Sequence, residues 1–92
     1  MPKTLIIVEG IADVIFLRDY IKFLKNDYEI DDTKLKKDKI LILQTDNKEI
    51  KILIGGGYST LGRLLIPIKE HMDNEYKIII IQDADNPNKE NG

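Results

Sequence analysis

Three acidic residues follow two apolar runs that have the composition of buried β-strands. Glu9 comes directly after residues 5–8, and Asp83 and Asp85 come after the isoleucines at 78–81. Residues two apart on an extended backbone point to the same side, so Asp83 and Asp85 can act together. If the two strands are parallel neighbours, all three carboxylates meet at the edge where open parallel sheets bind ligands. Mg²⁺ prefers such oxygen ligands, so the spacing predicts a site for metal-assisted phosphoryl transfer.

Strands that would position these residues are predicted from the hydrophobic pattern. The continuous apolar runs at 5–8 and 78–81 predict two strands, at residues 5–8 and 77–82, each buried on both faces of a parallel sheet. Segments 40–44 and 49–54 are also strand-like, and Asp46-Asn47 between them suits the turn of a β-hairpin. Residues 26–39 are polar and charged, which indicates a surface loop or a partly ordered connection.

Two helices are predicted between the strands. In residues 12–25, an apolar stripe at helical spacing is formed by Val14, Leu17, Ile21 and Leu24. The second helix is expected to run from Ser59 to about Met72. Pro67 lies inside it and is expected to kink or split it, because proline removes a backbone donor.

The order strand, helix, hairpin, helix, strand predicts an α/β layered fold. We expect a small Rossmann-like sheet, mostly parallel with a β-hairpin, flanked by both helices. Residues 1–92 form a single domain in this interpretation, which is expected to be the N-terminal part of a longer protein. A second apolar stripe on the first helix is formed by Phe16, Tyr20 and Phe23. Together the two stripes make an apolar arc that is too wide for one sheet to cover. We therefore expect a homo-oligomer, or packing on a missing C-terminal part.

Composition and charge limit the classes of function. The chain of 92 residues has a net charge of −2, a pI of about 5.3 and no cysteine. Thiolate metal sites and disulfides are thereby excluded, and a reducing cytoplasmic location is expected. No apolar run approaches the about 20 residues of a membrane span, so no membrane partner is expected. The acidic balance argues against broad electrostatic binding of nucleic acid, although metal ions invert the charge of an acidic site locally.

Two motifs in this sequence resemble those of the Toprim family, which topoisomerases, bacterial primases, old-lysogenisation-type nucleases and some small ribonucleases share. The first is Ile7-Val8-Glu9-Gly10, followed by Asp13-Val14-Ile15, and it is similar to the primase form of the motif. The second is the apolar strand that ends in Asp83-Ala84-Asp85. A glycine turn at 55–57 before a helix lies between them, as in Toprim domains. The resemblance extends over nearly the whole chain.

The resemblance to Toprim domains implies a role for each acidic residue. Glu9 would act as general acid or base and as a metal ligand, and Asp83 and Asp85 would hold Mg²⁺ or Mn²⁺. Asn86-Pro87 follows the aspartate pair, where many family members have Ala-Gly or another acidic group. The implied function is magnesium-dependent chemistry on nucleic acid, as in a nuclease or a nucleotidyl transferase.

Supporting roles are predicted for residues close to these motifs. Gly10 is expected to let the chain turn sharply beside the site. Asp13 is interpreted as an acid at a helix start, where the helix dipole favours it, rather than as a ligand. Gly56 and Gly57 are interpreted as part of a tight turn, and cradling of a phosphate by backbone donors is the alternative.

Several cationic and aromatic residues are weaker candidates. Arg63 and Lys89 are candidates for contacting a substrate phosphate, with surface solvation as the alternative. The lysines within residues 34–39 are interpreted as a solvated loop, with nucleic-acid contact as the alternative. Tyr58 is interpreted as a packing residue, and His71 is placed on the polar side of its helix.

Three hypotheses of function remain at the level of sequence. The first is a nuclease-type Toprim enzyme, favoured over a primase or topoisomerase because zinc-binding cysteines and companion domains are missing. The second is a catalytically idle Toprim-like module that binds or scaffolds partners. The third is a receiver-like domain with a magnesium-binding acidic cluster, which Glu9-Gly10 fits poorly.

Overall fold

Five strands and three helices lie in the described part of the chain, for which the computed structural model covers residues 2–55 and 61–81. The elements in chain order are β1 (Lys3–Val8), α1 (Ile11–Leu24), β2 (Glu29–Asp31), α2 (Leu35–Asp38), β3 (Ile40–Gln44), β4 (Glu49–Ile54), α3 (Leu61–Asp73) and β5 (Lys77–Ile80). The predicted α/β fold is therefore confirmed. None of the helices in these ranges has the length and apolar character to cross a membrane.

The strands form one five-stranded sheet in the order β2-β3-β4-β1-β5. β1 pairs in parallel with β4 and β5, whereas the pairings β2–β3 and β3–β4 are antiparallel. The prediction of a mostly parallel sheet is therefore wrong, and the sheet is mixed. The predicted loop at 26–39 contains β2 and α2, because Tyr28, Ile30 and Leu35 pack against the core and order this segment. The β3–β4 hairpin was predicted with the bounds that the structure has.

β1 lies inside the sheet, and its side chains alternate between two hydrophobic cores. Ile6 and Val8 belong to the core under α1, and Leu5 and Ile7 belong to the core under α3. The crossover from β1 through α1 to β2 runs along the sheet in one direction, and the crossover from β4 through α3 to β5 runs in the other. Right-handed crossovers in opposite directions require opposite faces, so the two helices cover the two sides of the sheet.

The apolar stripe of α1 packs on the sheet as predicted, and its second stripe does not. Val14 is fully buried, and Leu17 and Ile21 pack against the same core. Phe16, Tyr20 and Phe23 are exposed to solvent in the described part of the molecule. The sheet can cover only one side of a helix, so the second stripe remains uncovered by residues 2–55 and 61–81.

Proline was expected to kink or split this helix; α3 continues through Pro67, so the split is wrong and the kink stays a prediction. Leu64 and Ile68, on either side of Pro67, pack against the core, and this packing offsets the loss of one backbone hydrogen bond. His71 was predicted on the polar side of the helix, but it is only 7% exposed. Its Nδ1 donates to the carbonyl of Pro67 at 2.7 Å, so that nitrogen keeps a hydrogen-bond partner although the side chain is buried.

β5 forms an edge of the sheet and is not the buried strand that its sequence predicts. Ile79, Ile80 and Ile81 are between 38% and 52% exposed. β5 pairs only with β1 among the described residues, so one side of its backbone has no strand beside it. A run of isoleucines indicates a strand in apolar surroundings, but the same run is compatible with a central strand and with an edge strand. The prediction that this strand is buried was wrong for that reason.

Candidate functional site

The strands that precede the predicted acidic residues are parallel neighbours. β1 and β5 pair from Thr4 opposite Lys77 to Ile7 opposite Ile80. The pairing continues past β5, because the Ile81 amide donates to the Ile7 carbonyl at 2.8 Å. The carboxyl ends of both strands therefore lie at the same edge of the sheet, as the predicted site requires. Asp83 and Asp85 themselves lie outside the described residues, two and four positions after Ile81.

Glu9 lies between the last residue of β1 and the first turn of α1, and it is exposed. The sequence predicts Glu9 directly after a strand and before a helix, and the structure has β1 ending at Val8 and α1 beginning at Ile11. Of the three predicted metal ligands, Glu9 is the one that falls within the described ranges. Within residues 2–55 and 61–81, no three His, Cys, Asp or Glu side chains lie together as a metal site would require.

Asp13 and Gly10 build the start of α1. The Asp13 carboxylate accepts a hydrogen bond from the Gly10 amide at 3.3 Å, which satisfies one of the unpaired donors at the helix start. This contact fits the interpretation of Asp13 as a helix-start acid. The chain bends at Glu9 and Gly10, and Gly10 has φ −149° and ψ 179°, an extended conformation that any residue adopts, so the bend does not require glycine. A Cβ atom at Gly10 would meet nothing within 4 Å, so space for a side chain exists there.

The glycine run begins at the same edge of the sheet. The Gly55 amide donates to the Val8 carbonyl at 2.7 Å, and this bond extends the pairing of β1 with β4. A Cβ atom at Gly55 would lie 3.0 Å from Cγ2 of Ile7 and 3.4 Å from Cδ1 of Leu64. Gly55 thus allows close packing of sheet and helix next to the end of β1. Gly56 and Gly57 lie outside the described residues.

A lysine-bearing cleft, missed by the sequence prediction, opens beside the end of β4. Its volume is about 500 Å³. Its lining residues are Ile11, Asp32, Thr33, Leu35, Lys36, Lys39 and Ile54. The Ile54 amide donates to the Lys39 carbonyl at 2.9 Å, which fixes the start of β3 at the edge where β1 and β4 end. The two lysines are therefore on the same edge of the sheet as Glu9.

The lysines of residues 34–39 were a signal for this cleft in the sequence. The sequence did not indicate at which edge of the sheet they lie. A strand antiparallel to β4 begins where β4 ends, so the segment before β3 reaches the edge that carries Glu9. Arg63 lies in α3, and Lys89 lies outside the described residues. A contact of either residue with a substrate phosphate stays a prediction.

A second polar cluster lies at the opposite edge of the sheet, around Tyr76. The Tyr76 hydroxyl donates to the Glu49 carboxylate, and the His71 and Tyr76 rings are nearly perpendicular, with centroids 4.8 Å apart. Nζ atoms of Lys3 and Lys51 each lie 5.0 Å from the centre of the Tyr76 ring. Burial first, and then the hydrogen bond to Glu49, raise the pKa of the Tyr76 phenol well above its ordinary range. These contacts stabilise the amino ends of β4 and β5, away from Glu9.

Comparison of the chain with protein-family models, with curated proteins and with solved structures found no significant match. The support for a function comes from the sequence motifs, from the parallel pairing of β1 with β5 and from the chemistry of the sheet edge.

Proposed function

We propose that this protein is a Toprim-type domain that carries out magnesium-dependent phosphodiester chemistry on nucleic acid, as a nuclease. The observation that carries the proposal is the parallel pairing of β1 with β5, which continues to the Ile81 amide. This pairing brings the end of the strand before Glu9 next to the end of the strand before Asp83. The strands that precede the two sequence motifs therefore end at one edge of the sheet, where open parallel sheets bind ligands.

Each residue has a distinct role in this proposal. Asp83 and Asp85 hold Mg²⁺ or Mn²⁺ together with Glu9, since a carboxylate set supplies the hard oxygen ligands that these ions prefer. The ion, when bound, polarises a phosphate oxygen and activates water. Glu9 also gives or takes a proton as general acid or base, a role for which its exposed position beside the sheet edge is suitable.

Lys36 and Lys39 supply the positive charge that a nucleic-acid substrate needs. They line the cleft beside the end of β4, on the edge of the sheet that carries Glu9. Ammonium groups contact backbone phosphates without reading the base sequence, so they would position the substrate rather than select it. Local placement of these lysines offsets the net charge of −2 on the whole chain.

Metal titration followed by thermal unfolding tests this proposal. We expect Mg²⁺ and Mn²⁺ to raise the melting temperature of the protein, because an ion that binds only the folded state stabilises it. Glu9→Gln and Asp83→Asn should each weaken metal binding by about 10-fold or more in calorimetry, since each removes a charged ligand. Asp46→Asn is the matched control, because it removes an exposed carboxylate in the β3–β4 turn at the opposite edge of the sheet.

Cleavage assays with single- and double-stranded DNA and RNA separate an enzyme from an idle module. Metal-dependent cleavage that is lost in Glu9→Gln but kept in Asp46→Asn supports the nuclease. Metal binding without cleavage of any substrate supports the catalytically idle binding module instead. Absence of both a metal-induced shift in melting temperature and cleavage contradicts the proposal as a whole.

A further inference from the structure

The open edge of β5 is bordered by apolar side chains on both faces of the sheet. Ile78 and Ile80 share the α3 face with Leu5 and Ile7, and Ile79 shares the α1 face with Ile6. Strands with an open, apolar edge pair readily with another strand. Among residues 2–55 and 61–81, no element covers this edge.

Backbone groups at this edge are oriented for pairing. The Ile81 amide bonds to Ile7 of β1, and successive residues of a strand alternate in the direction of their backbone groups. The N–H and C=O groups of Ile78 and Ile80 therefore point away from β1, toward the open side. Whatever covers the edge must supply both a strand and apolar side chains on two faces.

α3 extends the apolar surface on one face. Leu64 and His71 face the core. Leu65 follows Leu64, and Met72 follows His71, so each is displaced from the core direction by about 100° around the helix. In the right-handed crossover from β4 to β5, this turn leads toward β5. Leu65 and Met72 are 53% and 60% exposed, so α3 presents them beside the open strand.

α1 extends the surface on the other face. Ile11 lines the cleft with Leu35 and Ile54, so that flank of α1 faces β3 and β4. Tyr20 is half a turn away from Ile11 around the helix and therefore faces β5, as does Leu24 beside it. Tyr20 and Leu24 are both more than half exposed.

We propose that this chain forms a two-fold dimer in which the β5 strands of two copies pair antiparallel and join their sheets into one. The seven exposed residues Tyr20, Leu24, Leu65, Met72, Ile79, Ile80 and Ile81 form its interface. At about 100 Å² of exposed surface for each, close to half of a large side chain, the patch offers roughly 700 Å². That area is close to the ~800 Å² per partner of a standard protein interface.

A second copy fits this surface because the surface is complementary to itself. With the two-fold axis at Ile79, the outward groups of Ile78 meet those of the partner's Ile80, and the pairing closes as a dimer. From Lys77 to Ile79 the strand rises about 7 Å. About four and a half residues of α3 span the same length, and counted back from Asp73 they end at residues 68–69. The axis therefore passes near residues 68–69 of α3, which places Leu65 opposite the partner's Met72.

Sedimentation velocity over a wide range of protein concentration tests the dimer. Leu65→Lys and Ile80→Pro should each raise the dimer dissociation constant by about tenfold or more, since one buries a charge and the other removes an outward N–H. Ile66→Lys is the matched control, because Ile66 is 69% exposed and lies on the outer side of the same helix. Its dissociation constant should equal that of the unchanged protein.

The fold and the contact are checked separately. Circular dichroism should show the same secondary structure for all variants, and Leu65→Lys alone decides the result if Ile80→Pro fails to fold. Isotope-filtered NOEs between Ile78 of one copy and Ile80 of the other would establish the register. A protein that is monomeric at all concentrations, or a dimer that Leu65→Lys leaves unchanged, overturns the proposal. This test is independent of metal binding and of cleavage.

Discussion

At the scale of residues, Tyr76 connects the helix α3 to the sheet. Its hydroxyl donates to Glu49 on β4, and its ring meets the buried ring of His71 on α3. The ammonium groups of Lys3 and Lys51 lie over this ring, on β1 and β4 respectively. One side chain thus contacts three strands or helices at the edge opposite Glu9, so its loss should affect stability and leave the candidate site intact.

Tyr76→Phe removes the hydroxyl and keeps the ring. We expect a loss of roughly 1.5–3 kcal/mol in the free energy of unfolding, the usual net value of a hydrogen bond to a charged group. Urea denaturation at pH 7 measures this loss. Tyr20→Phe, measured at a protein concentration at which the chain is monomeric, is the control, because Tyr20 is then an exposed tyrosine on the surface of α1, and it should change stability little. Equal effects of the two substitutions would contradict a specific role for the Tyr76 hydroxyl.

The raised pKa of Tyr76 gives this cluster a pH dependence of defined sign. The folded state keeps the phenol proton at a pH at which the unfolded chain, with a pKa of 10.0, releases it. The resulting stabilisation is complete below pH 10 and is lost as the pH rises toward the pKa of the folded state. Unfolding free energies measured between pH 9 and pH 11 should therefore fall more steeply in the natural protein than in Tyr76→Phe.

At the scale of elements, α3 ends in a left-handed residue that is not glycine. The Tyr76 amide donates to the His71 carbonyl at 2.9 Å, and the Glu75 amide donates to the Met72 carbonyl at 3.0 Å. These two bonds define a Schellman motif, in which glycine is the usual left-handed residue. Glu75 occupies that position with φ 66°, which strains a residue with a Cβ atom.

Glu75→Gly should therefore stabilise the protein. Relief of the left-handed strain exceeds the entropy that glycine gains in the unfolded chain, so we expect about 0.5–1 kcal/mol of added stability. Glu70→Gly, at an exposed right-handed position of the same helix, should instead cost about 1 kcal/mol. Thermal unfolding of both variants measures the difference, and a destabilised Glu75→Gly variant would show that the side chain makes a stabilising contact of its own.

At the scale of the whole molecule, the distribution of charge matters more than its sum. The net charge of −2 predicts weak attraction of nucleic acid, yet two lysines are concentrated in the cleft at the candidate edge. Binding at this cleft should be local and sensitive to salt, because each neutralised phosphate releases condensed counterions. The cleft and the acidic residues would then contact different parts of one substrate.

Neutralising the cleft tests this distribution. The double variant Lys36→Gln, Lys39→Gln should bind a single-stranded oligonucleotide about 10-fold more weakly and with a shallower salt dependence in fluorescence anisotropy. Lys25→Gln, Lys48→Gln is the control, since it removes the same charge from the end of α1 and from the β3–β4 turn at the opposite edge. If both double variants bind alike, the overall charge governs binding and the cleft has no particular role.

The sequence by itself determined the local elements and their order. Apolar runs predicted β1 and the hairpin strands, and helical periodicity predicted α1 nearly to its ends, because the residues that pack on one side repeat with the period of the element. The position of Glu9 directly after a strand was predictable for the same reason. The bounds of helix and strand follow from neighbours in the chain, which the sequence contains.

Only the tertiary structure decided which elements are neighbours and which surfaces are covered. The parallel pairing of β1 with β5, the exposure of Ile79 to Ile81, the burial of His71 and the placement of Lys36 and Lys39 beside the end of β4 all depend on contacts between distant segments. Isoleucine is apolar whether a strand is central or at an edge, and lysine is charged at either end of a sheet. Topology assigns these residues their surroundings, and in this protein it assigns the cleft and Glu9 to one edge.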